Sequence, residues 1–132
     1  MAHFYGIDEA NERLAELRPV LEGLRADRDA VAAEQADLVR WRAGNGNARH
    51  ADELQEREER IREIVGRMQQ AVRQIEAWDV TLRDIETGLI DFPALVSGRP
   101  VWLCWRLGES DVAWWHELTT GVAGRRPLDE LA

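Results

Sequence analysis

A heptad repeat near the start of the chain constrains the fold more than any other feature. Positions 14, 17, 21, 24, 28, 31, 35 and 38 alternate in steps of three and four residues, and all are apolar except Arg28 and Gln35. This spacing is typical of an α-helix that packs along one seam against another helix. Asp8 suits the N-cap position, where its side chain can accept a backbone hydrogen bond. The pattern predicts a first helix over residues 8–42.

A second apolar stripe follows a group of helix-breaking residues, AGNGN at 43–47. Its members are Leu54, Ile61, Val65, Met68, Val72, Ile75, Trp78, Leu82 and Ile85. The stripe predicts a second helix over residues 50–87 that ends at Gly88, a typical residue just after a helix. Two helices of about 35 residues are each about 50 Å long. Because the connection between them is short, they are predicted to pack antiparallel as a helical hairpin, in the manner of a coiled coil.

The composition changes after Gly88. The tail, residues 88–132, is rich in tryptophan and β-branched residues and is interrupted by glycine and proline. Residues 94–96, a turn at Ser97 and Gly98, and residues 101–107 predict a β-hairpin. Residues 112–118 alternate as a strand does, although a short helix is the alternative. The predicted fold is therefore mostly α with a small β element. A single domain over 1–132 would contain a long antiparallel helical hairpin and a C-terminal two- or three-stranded antiparallel meander.

Charge and composition exclude several classes of function. The chain has 17 basic and 25 acidic residues, a formal net charge of -8, and every basic residue is arginine. The absence of lysine excludes Schiff-base chemistry and a phosphate-binding loop lysine. The acidic balance argues against nucleic acid and anionic membrane surfaces as partners. We expect a cytoplasmic protein, since Cys104 has no disulfide partner and we find neither a signal peptide nor an apolar stretch of about 20 residues.

Four motifs in the tail stand out from this general pattern. They are GLIDFP at 88–93, LCWRLGE at 103–109, WHE at 115–117 and GxxGRxP at 121–127. Together with Glu9-Ala10-Asn11 before the first leucines, they give the chain a resemblance to a small bacterial family, domain of unknown function twenty-two zero three. The resemblance covers essentially the whole chain. It implies a helical hairpin with a compact tail, and no activity comes with it.

Acidic residues and one histidine are predicted to gather at one end of the hairpin, where the tail begins. An antiparallel pair brings the start of the first helix beside the end of the second. The candidate metal ligands are Glu9, Asp84, Asp91, Glu109 and His116. Such a mixed oxygen and nitrogen set suits a divalent Zn, Mn or Fe ion, although no cofactor is required and no HExxH motif is present. The alternative is that these acids pair with arginines in a structural network, the candidates being Arg83, Arg99, Arg106, Arg125 and Arg126.

The tryptophans of the tail are candidates for a binding surface. Aromatic side chains line ligand pockets, and basic residues near them can bind anionic groups. The candidate set is Trp102, Trp105, Trp115, Arg106 and Arg125. The alternative is that the tryptophans pack in the core or in a dimer interface, since each offers a large area to bury. Cys104 is interpreted as a small buried apolar residue and not as a nucleophile.

Two functional hypotheses follow from these features. A long two-helix hairpin leaves apolar surface that a second copy can cover, so we expect a homodimer with a four-helix arrangement. The first hypothesis is a non-enzymatic homodimer whose Trp-rich tail docks another protein or a small molecule. The second is a metal-binding protein, or a metal-dependent enzyme, with a carboxylate and histidine site at one end of the hairpin.

Overall fold

Two long helices form the first part of the chain in a computed structural model that describes residues 3–45 and 51–131. They are α1, Ile7–Asn45, and α2, Ala51–Ala77. Asp27 pairs with Arg67 at 3.0 Å, and Glu34 further along α1 pairs with Arg60 earlier in α2, at 3.7 Å. The helices are therefore antiparallel, which confirms the predicted hairpin. No helix within the described ranges is long and apolar enough to span a membrane.

Helix α2 ends at Ala77, whereas the apolar stripe predicted an end at residue 87. The backbone of Asp79 adopts a left-handed conformation with φ 59°. The amide of Asp79 donates to the carbonyl of Glu76, and the amide of Val80 donates to the carbonyl of Ile75. This pair of bonds is the Schellman motif that closes many helices. The stripe continued past this point because Leu82 of the following strand and Ile85 of the next turn are apolar and happen to follow Trp78 at helical spacing.

Gly88 has a different role from the predicted one. It lies in the turn between the first two strands and not at the end of a helix. Its φ is +65°, and a Cβ atom at this position would lie 2.5 Å from the side chain of Leu107. Both observations explain why glycine is needed here.

Residues 81–127 contain one five-stranded antiparallel sheet, so the prediction of a two- or three-stranded meander is too low. In chain order the strands are β1, Thr81–Asp84; β2, Leu89–Val96; β3, Arg99–Trp105; β4, Trp114–His116; and β5, Arg126–Pro127, which is also their spatial order. The predicted turn at Ser97 and Gly98 is confirmed, and both residues have positive φ, as a two-residue type I′ hairpin requires. The strand alternative for residues 112–118 is also confirmed, at 114–116.

The two faces of the sheet differ in chemistry. The inner face packs against the leucines of α1, and its buried residues are Ile90, Phe92, Ala94, Val101, Leu103, Trp105 and Trp115. The outer face carries the residues that alternate with these, among them Asp91, Cys104 and His116. Two hydrogen bonds, from residues just before α1 and just before β4, hold the start of the chain near the sheet. Tyr5 N donates to Pro93 O at 2.7 Å, and Val112 N donates to Asn11 Oδ1 at 2.7 Å.

Among the described residues, the half of the hairpin that is farther from the sheet contributes no buried side chains. The buried residues of α1 are Ala10, Leu14, Leu17, Leu21 and Leu24, and Ile75 is the buried residue of α2. In residues 25–44 and 51–74, which we call the distal arm, none of the described side chains is buried. The heptad repeat therefore continues along a part of the hairpin that packs less tightly, where Met68 and Val72 reach the edge of the core and Arg28 pairs with Glu86 of the β1–β2 turn.

Candidate metal centre

Three side chains from neighbouring strands meet on the outer face of the sheet. Asp91 of β2 pairs directly with Cys104 of β3, and His116 of β4 lies on the same face, opposite Trp102 of β3. Because β3 lies between β2 and β4, the side chains of Asp91 and His116 meet across Cys104. One carboxylate oxygen, one sulfur and one ring nitrogen lie within 4.8 Å of one another. Asp91 and His116 are 2% exposed and Cys104 is fully buried.

The ring of His116 is oriented by its own backbone neighbour. Nδ1 lies 2.8 Å from the carbonyl oxygen of Glu117. A carbonyl oxygen can only accept a hydrogen bond, so Nδ1 carries a proton and donates it. Nε2 is then the nitrogen that faces the cluster, 3.0 Å from Oδ2 of Asp91. A histidine whose outer nitrogen donates to a carbonyl, while the other faces acidic or sulfur ligands, is oriented as metal-ligating histidines are.

Asp91 is a buried carboxylate with uneven hydrogen bonding. Its Oδ2 atom accepts from Nε of Arg83 at 2.8 Å and also faces His116. Its Oδ1 atom has no hydrogen-bond partner, and it is the one buried carboxylate oxygen in this condition among the described residues. A buried polar atom without a partner costs about 1–3 kcal/mol, and more where it carries charge. The free oxygen is therefore a position where a cation would be stabilising.

Cys104 is a protonated thiol in the metal-free protein. Burial, together with the nearby charge of Asp91, raises the pKa of Cys104 to about 12. A thiol with this pKa is a poor nucleophile at neutral pH, which agrees with its interpretation as a buried residue. A metal ion changes the outcome, because a coordinated thiol loses its proton to the solvent.

A pocket of about 500 Å³ opens beside the cluster. Asp91 and His116 line it, and so does Arg83, whose side chain is 42% exposed. The other lining residues are Leu89, Leu118, Thr119, Thr120, Gly121 and Val122. The cluster is thus buried from bulk solvent and still borders a space that a small molecule can enter.

The structure brings together two of the five candidate ligands, Asp91 and His116. The other three each have a different partner. Glu9 lies 2.7 Å from His3 at the start of α1. Asp84 caps the β1–β2 turn, where hydrogen bonds from Thr87 lower its pKa. Glu109 accepts from the amide of Arg106 and from Arg125, both at 2.9 Å, and therefore belongs to a structural arginine network.

Cys104 is a candidate ligand that the sequence did not reveal. The sequence indicates a small buried apolar residue and not a nucleophile, and it gives no sign of a donor to a metal. The turn at Ser97 and Gly98 contains the missing signal, because pairing residues outward from that turn places Cys104 opposite Asp91. Arg83 was expected to pair with an acid, and its partner is Asp91.

The candidate binding-surface residues divide between the core and the outer face. Trp105 and Trp115 are buried in the core. Trp102 is half-buried on the outer face, with the guanidinium of Arg83 4.9 Å from its ring centroid. Arg125 lies over Trp114 at 4.6 Å and also pairs with Glu109, and Arg106 is exposed. No single surface therefore contains all five candidates.

These features define a helical-hairpin protein with a five-stranded sheet and a buried Asp-Cys-His cluster. The chain belongs to the family described as Uncharacterized conserved protein (DUF2203), whose model matches residues 3–128. This match confirms the family resemblance inferred from the sequence. No curated protein and no solved structure matches the chain. The family's description includes no activity, so an account of function must come from the geometry of the site.

Proposed function

We propose that this protein binds a divalent transition-metal ion through Asp91, Cys104 and His116, and that zinc is the ion that fits best. The observation that carries the proposal is the buried, unpartnered Oδ1 of Asp91, in a carboxylate that lies beside the Cys104 thiol and the His116 ring nitrogen. Zinc accepts sulfur, nitrogen and oxygen ligands together, whereas manganese prefers oxygen alone. The sulfur of Cys104 therefore favours zinc over manganese.

The groups around the three ligands support the proposal. The carbonyl of Glu117 orients the ring of His116, and Arg83 holds the carboxylate of Asp91. Contacts of this kind fix the ligand geometry in known metal sites. Three protein ligands beside a pocket are also the arrangement of zinc sites that leave a position for water or a substrate. The alternative is a purely structural ion pair, in which a proton remains between His116 and Asp91.

The amount of bound metal distinguishes a metal site from a structural ion pair. Protein purified without a histidine tag, equilibrated with zinc and desalted, is expected to retain one zinc ion per chain by elemental analysis. Cys104→Ala and His116→Gln should each lose it. The matched control is His3→Gln, because His3 is also paired with a carboxylate but lies at the surface. Wild-type protein that retains no zinc, or zinc that depends on His3, would overturn the proposal.

Cobalt gives an independent test of the sulfur ligand. Cobalt-loaded protein should show a thiolate-to-cobalt charge-transfer band in the near ultraviolet, because Cys104 contributes its sulfur. Cys104→Ser should remove this band, since an oxygen ligand does not produce it. An unchanged band in that variant would show that the metal is held elsewhere.

A second proposal concerns the hairpin, which we infer forms a homodimer through its distal arm. The supporting observation is that none of the described side chains of this arm is buried, although Val31 and Leu38 of α1 and the α2 stripe from Leu54 to Val72 are apolar. A groove of about 610 Å³ runs between the helices here, and its apolar lining residues are Val31, Val65, Met68 and Val72. A second copy is the occupant that fits, because it presents the same apolar stripe at the same spacing and can pack by a two-fold axis as a four-helix bundle.

Sedimentation velocity tests this second proposal. The wild-type chain is expected to sediment as a dimer at tens of micromolar, and Val65→Glu is expected to make it monomeric. Ile7→Glu is the control, because Ile7 is an exposed apolar residue at the opposite end of the hairpin. A wild-type monomer at these concentrations would contradict the proposal.

A further inference from the structure

We infer that the pocket beside the metal ligands binds a small organic anion, a monocarboxylate with an apolar substituent, and this inference rests on the proposed metal site. The pocket borders the cluster directly, since Asp91 and His116 line both. The molecule as a whole is acidic, whereas this pocket is lined by one arginine and mostly by uncharged residues. Its charge, its hydrogen-bond donors and its apolar walls each indicate a monocarboxylate.

The charge of the occupied site favours a monoanion. A zinc dication would be neutralised by the thiolate of Cys104 and the carboxylate of Asp91, while His116 binds as a neutral ring. The remaining lining residues are apolar, threonine or glycine, apart from Arg83. The positive charge of Arg83 is then unbalanced within the pocket. A ligand with a single negative charge makes the occupied pocket neutral, whereas a dianion would leave it with a net negative charge.

Arg83 has the donors that a carboxylate needs. Its Nε atom donates to Asp91, and its guanidinium lies over the ring of Trp102, which fixes its plane. Neither of its two outer nitrogens bonds to a carboxylate among the described residues, because its one ion pair there is made through Nε. A planar guanidinium matches the geometry of a carboxylate, and such charge-assisted hydrogen bonds are among the stronger ones in proteins. Thr119 and Thr120 also line the pocket, and the hydroxyl of Thr120 donates to the carbonyl of Glu117 at 3.5 Å.

The walls of the pocket suit an apolar substituent. Leu118 and Val122 are 53% and 39% exposed, and both line this pocket together with Leu89. Exposed aliphatic residues gathered at the opening of a cavity are typical of ligand sites. The volume of about 500 Å³ fits a small molecule and not a polymer.

Calorimetric titration of cobalt-loaded protein tests the inference, with hexanoate as the probe and hexanamide as its uncharged counterpart. We expect hexanoate to bind about tenfold more tightly or better, because only the anion forms charge-assisted bonds with Arg83. Arg83→Gln should reduce this preference to about one. Leu118→Glu should weaken hexanoate binding, because it places a second negative charge at the pocket. This variant leaves Arg83, the ion-pair partner of Asp91, unchanged. Leu95→Glu is the control, since Leu95 is an exposed leucine outside the pocket.

Metal content is measured in the same samples, so that the two proposals fail in different ways. A protein that holds one metal ion per chain and binds hexanoate no better than hexanamide overturns the anion site and leaves the metal site standing. A protein without metal overturns the metal site and this inference with it. If Arg83→Gln loses the metal, Leu118→Glu decides the result, and an unchanged hexanoate affinity in that variant overturns the anion site.

Discussion

The two faces of the β-sheet are equally buried at their centres and are stabilised in different ways. On the inner face, Phe92 and Leu103 are apolar and pack against the leucines of α1. On the outer face, Asp91, Cys104 and His116 are just as buried, and two of them are ionisable groups that lose hydration. Burial on the inner face is favourable by itself. On the outer face, burial of polar groups costs free energy that hydrogen-bond partners must offset. Oδ1 of Asp91 has no such partner. The difference is the one expected if the inner face serves folding and the outer face, as proposed, binds an ion.

The largest predicted effect is on the inner face. Phe92→Ala removes a fully buried ring that packs edge-on against Tyr5. We expect it to lower the free energy of unfolding by about 3–5 kcal/mol, measured by urea denaturation. Leu95→Ala on the same strand is the control, since Leu95 is exposed and its truncation should cost less than about 0.5 kcal/mol. A small effect of Phe92→Ala would mean that the inner face is not the core.

The outer face should contribute stability only when metal is bound. At free zinc about a thousandfold above its dissociation constant, the free energy of unfolding should rise by about 4 kcal/mol, because the ion binds the folded state alone. Chemical denaturation with and without zinc measures this increment. Cys104→Ala should abolish it, whereas Phe92→Ala should retain it in full. An increment that survives the loss of Cys104 would contradict the assignment of the ligands.

The pH dependence of binding sharpens the same comparison. Because the pKa of Cys104 is raised to about 12, the thiol is protonated in the metal-free protein at neutral pH. Metal binding must release that proton, so the affinity should rise with pH. We expect an increase of about tenfold per pH unit for each proton released, between about pH 7 and pH 9. Calorimetry in buffers of different ionisation enthalpy counts the protons, and an affinity that falls with pH would exclude a thiol ligand.

The smallest predicted effect concerns an acid that the sequence placed among the metal ligands. Glu109→Gln weakens a partly buried pair with Arg125, and we expect a loss of about 1 kcal/mol in the free energy of unfolding. Zinc content should remain at one ion per chain, as it should in Asp84→Asn, since neither carboxylate lies in the cluster. Loss of zinc in either variant would extend the site beyond the three proposed ligands.

The helix that covers the inner face was predictable from the sequence, because it depends on local periodicity. The heptad leucines of α1 report which of its side chains are buried. Burial along β2 and β3 does not alternate, since residues 89–92 and 103–105 are buried on both faces. The end of α2 was not predictable in this way. It depends on the left-handed backbone of Asp79, and an aspartate at that position gives a much weaker signal than the glycine at residue 88. Strand β1 was consequently assigned to the helix.

The site was only partly predictable, because it depends on contacts between strands that are distant in the chain. Once the turn at Ser97 and Gly98 is known, the pairing of Asp91 with Cys104 follows by counting outward. The approach of His116 requires the register of β4 against β3, and no short turn fixes that register. The pairing of Glu109 with Arg125 was hidden because it too joins separate parts of the tail. A list of acids near one end of a hairpin cannot say which of them already have an arginine or a histidine beside them.

X-ray absorption at the zinc edge of the zinc-loaded protein tests the central claim most directly, because it reports the atoms bound to the ion. The proposed site predicts one sulfur neighbour at about 2.3 Å, with nitrogen and oxygen neighbours at about 2.0–2.2 Å. In Cys104→Ala the sulfur neighbour should be absent. A spectrum of the wild-type protein that contains only nitrogen and oxygen neighbours would contradict the claim that Asp91, Cys104 and His116 form a metal site.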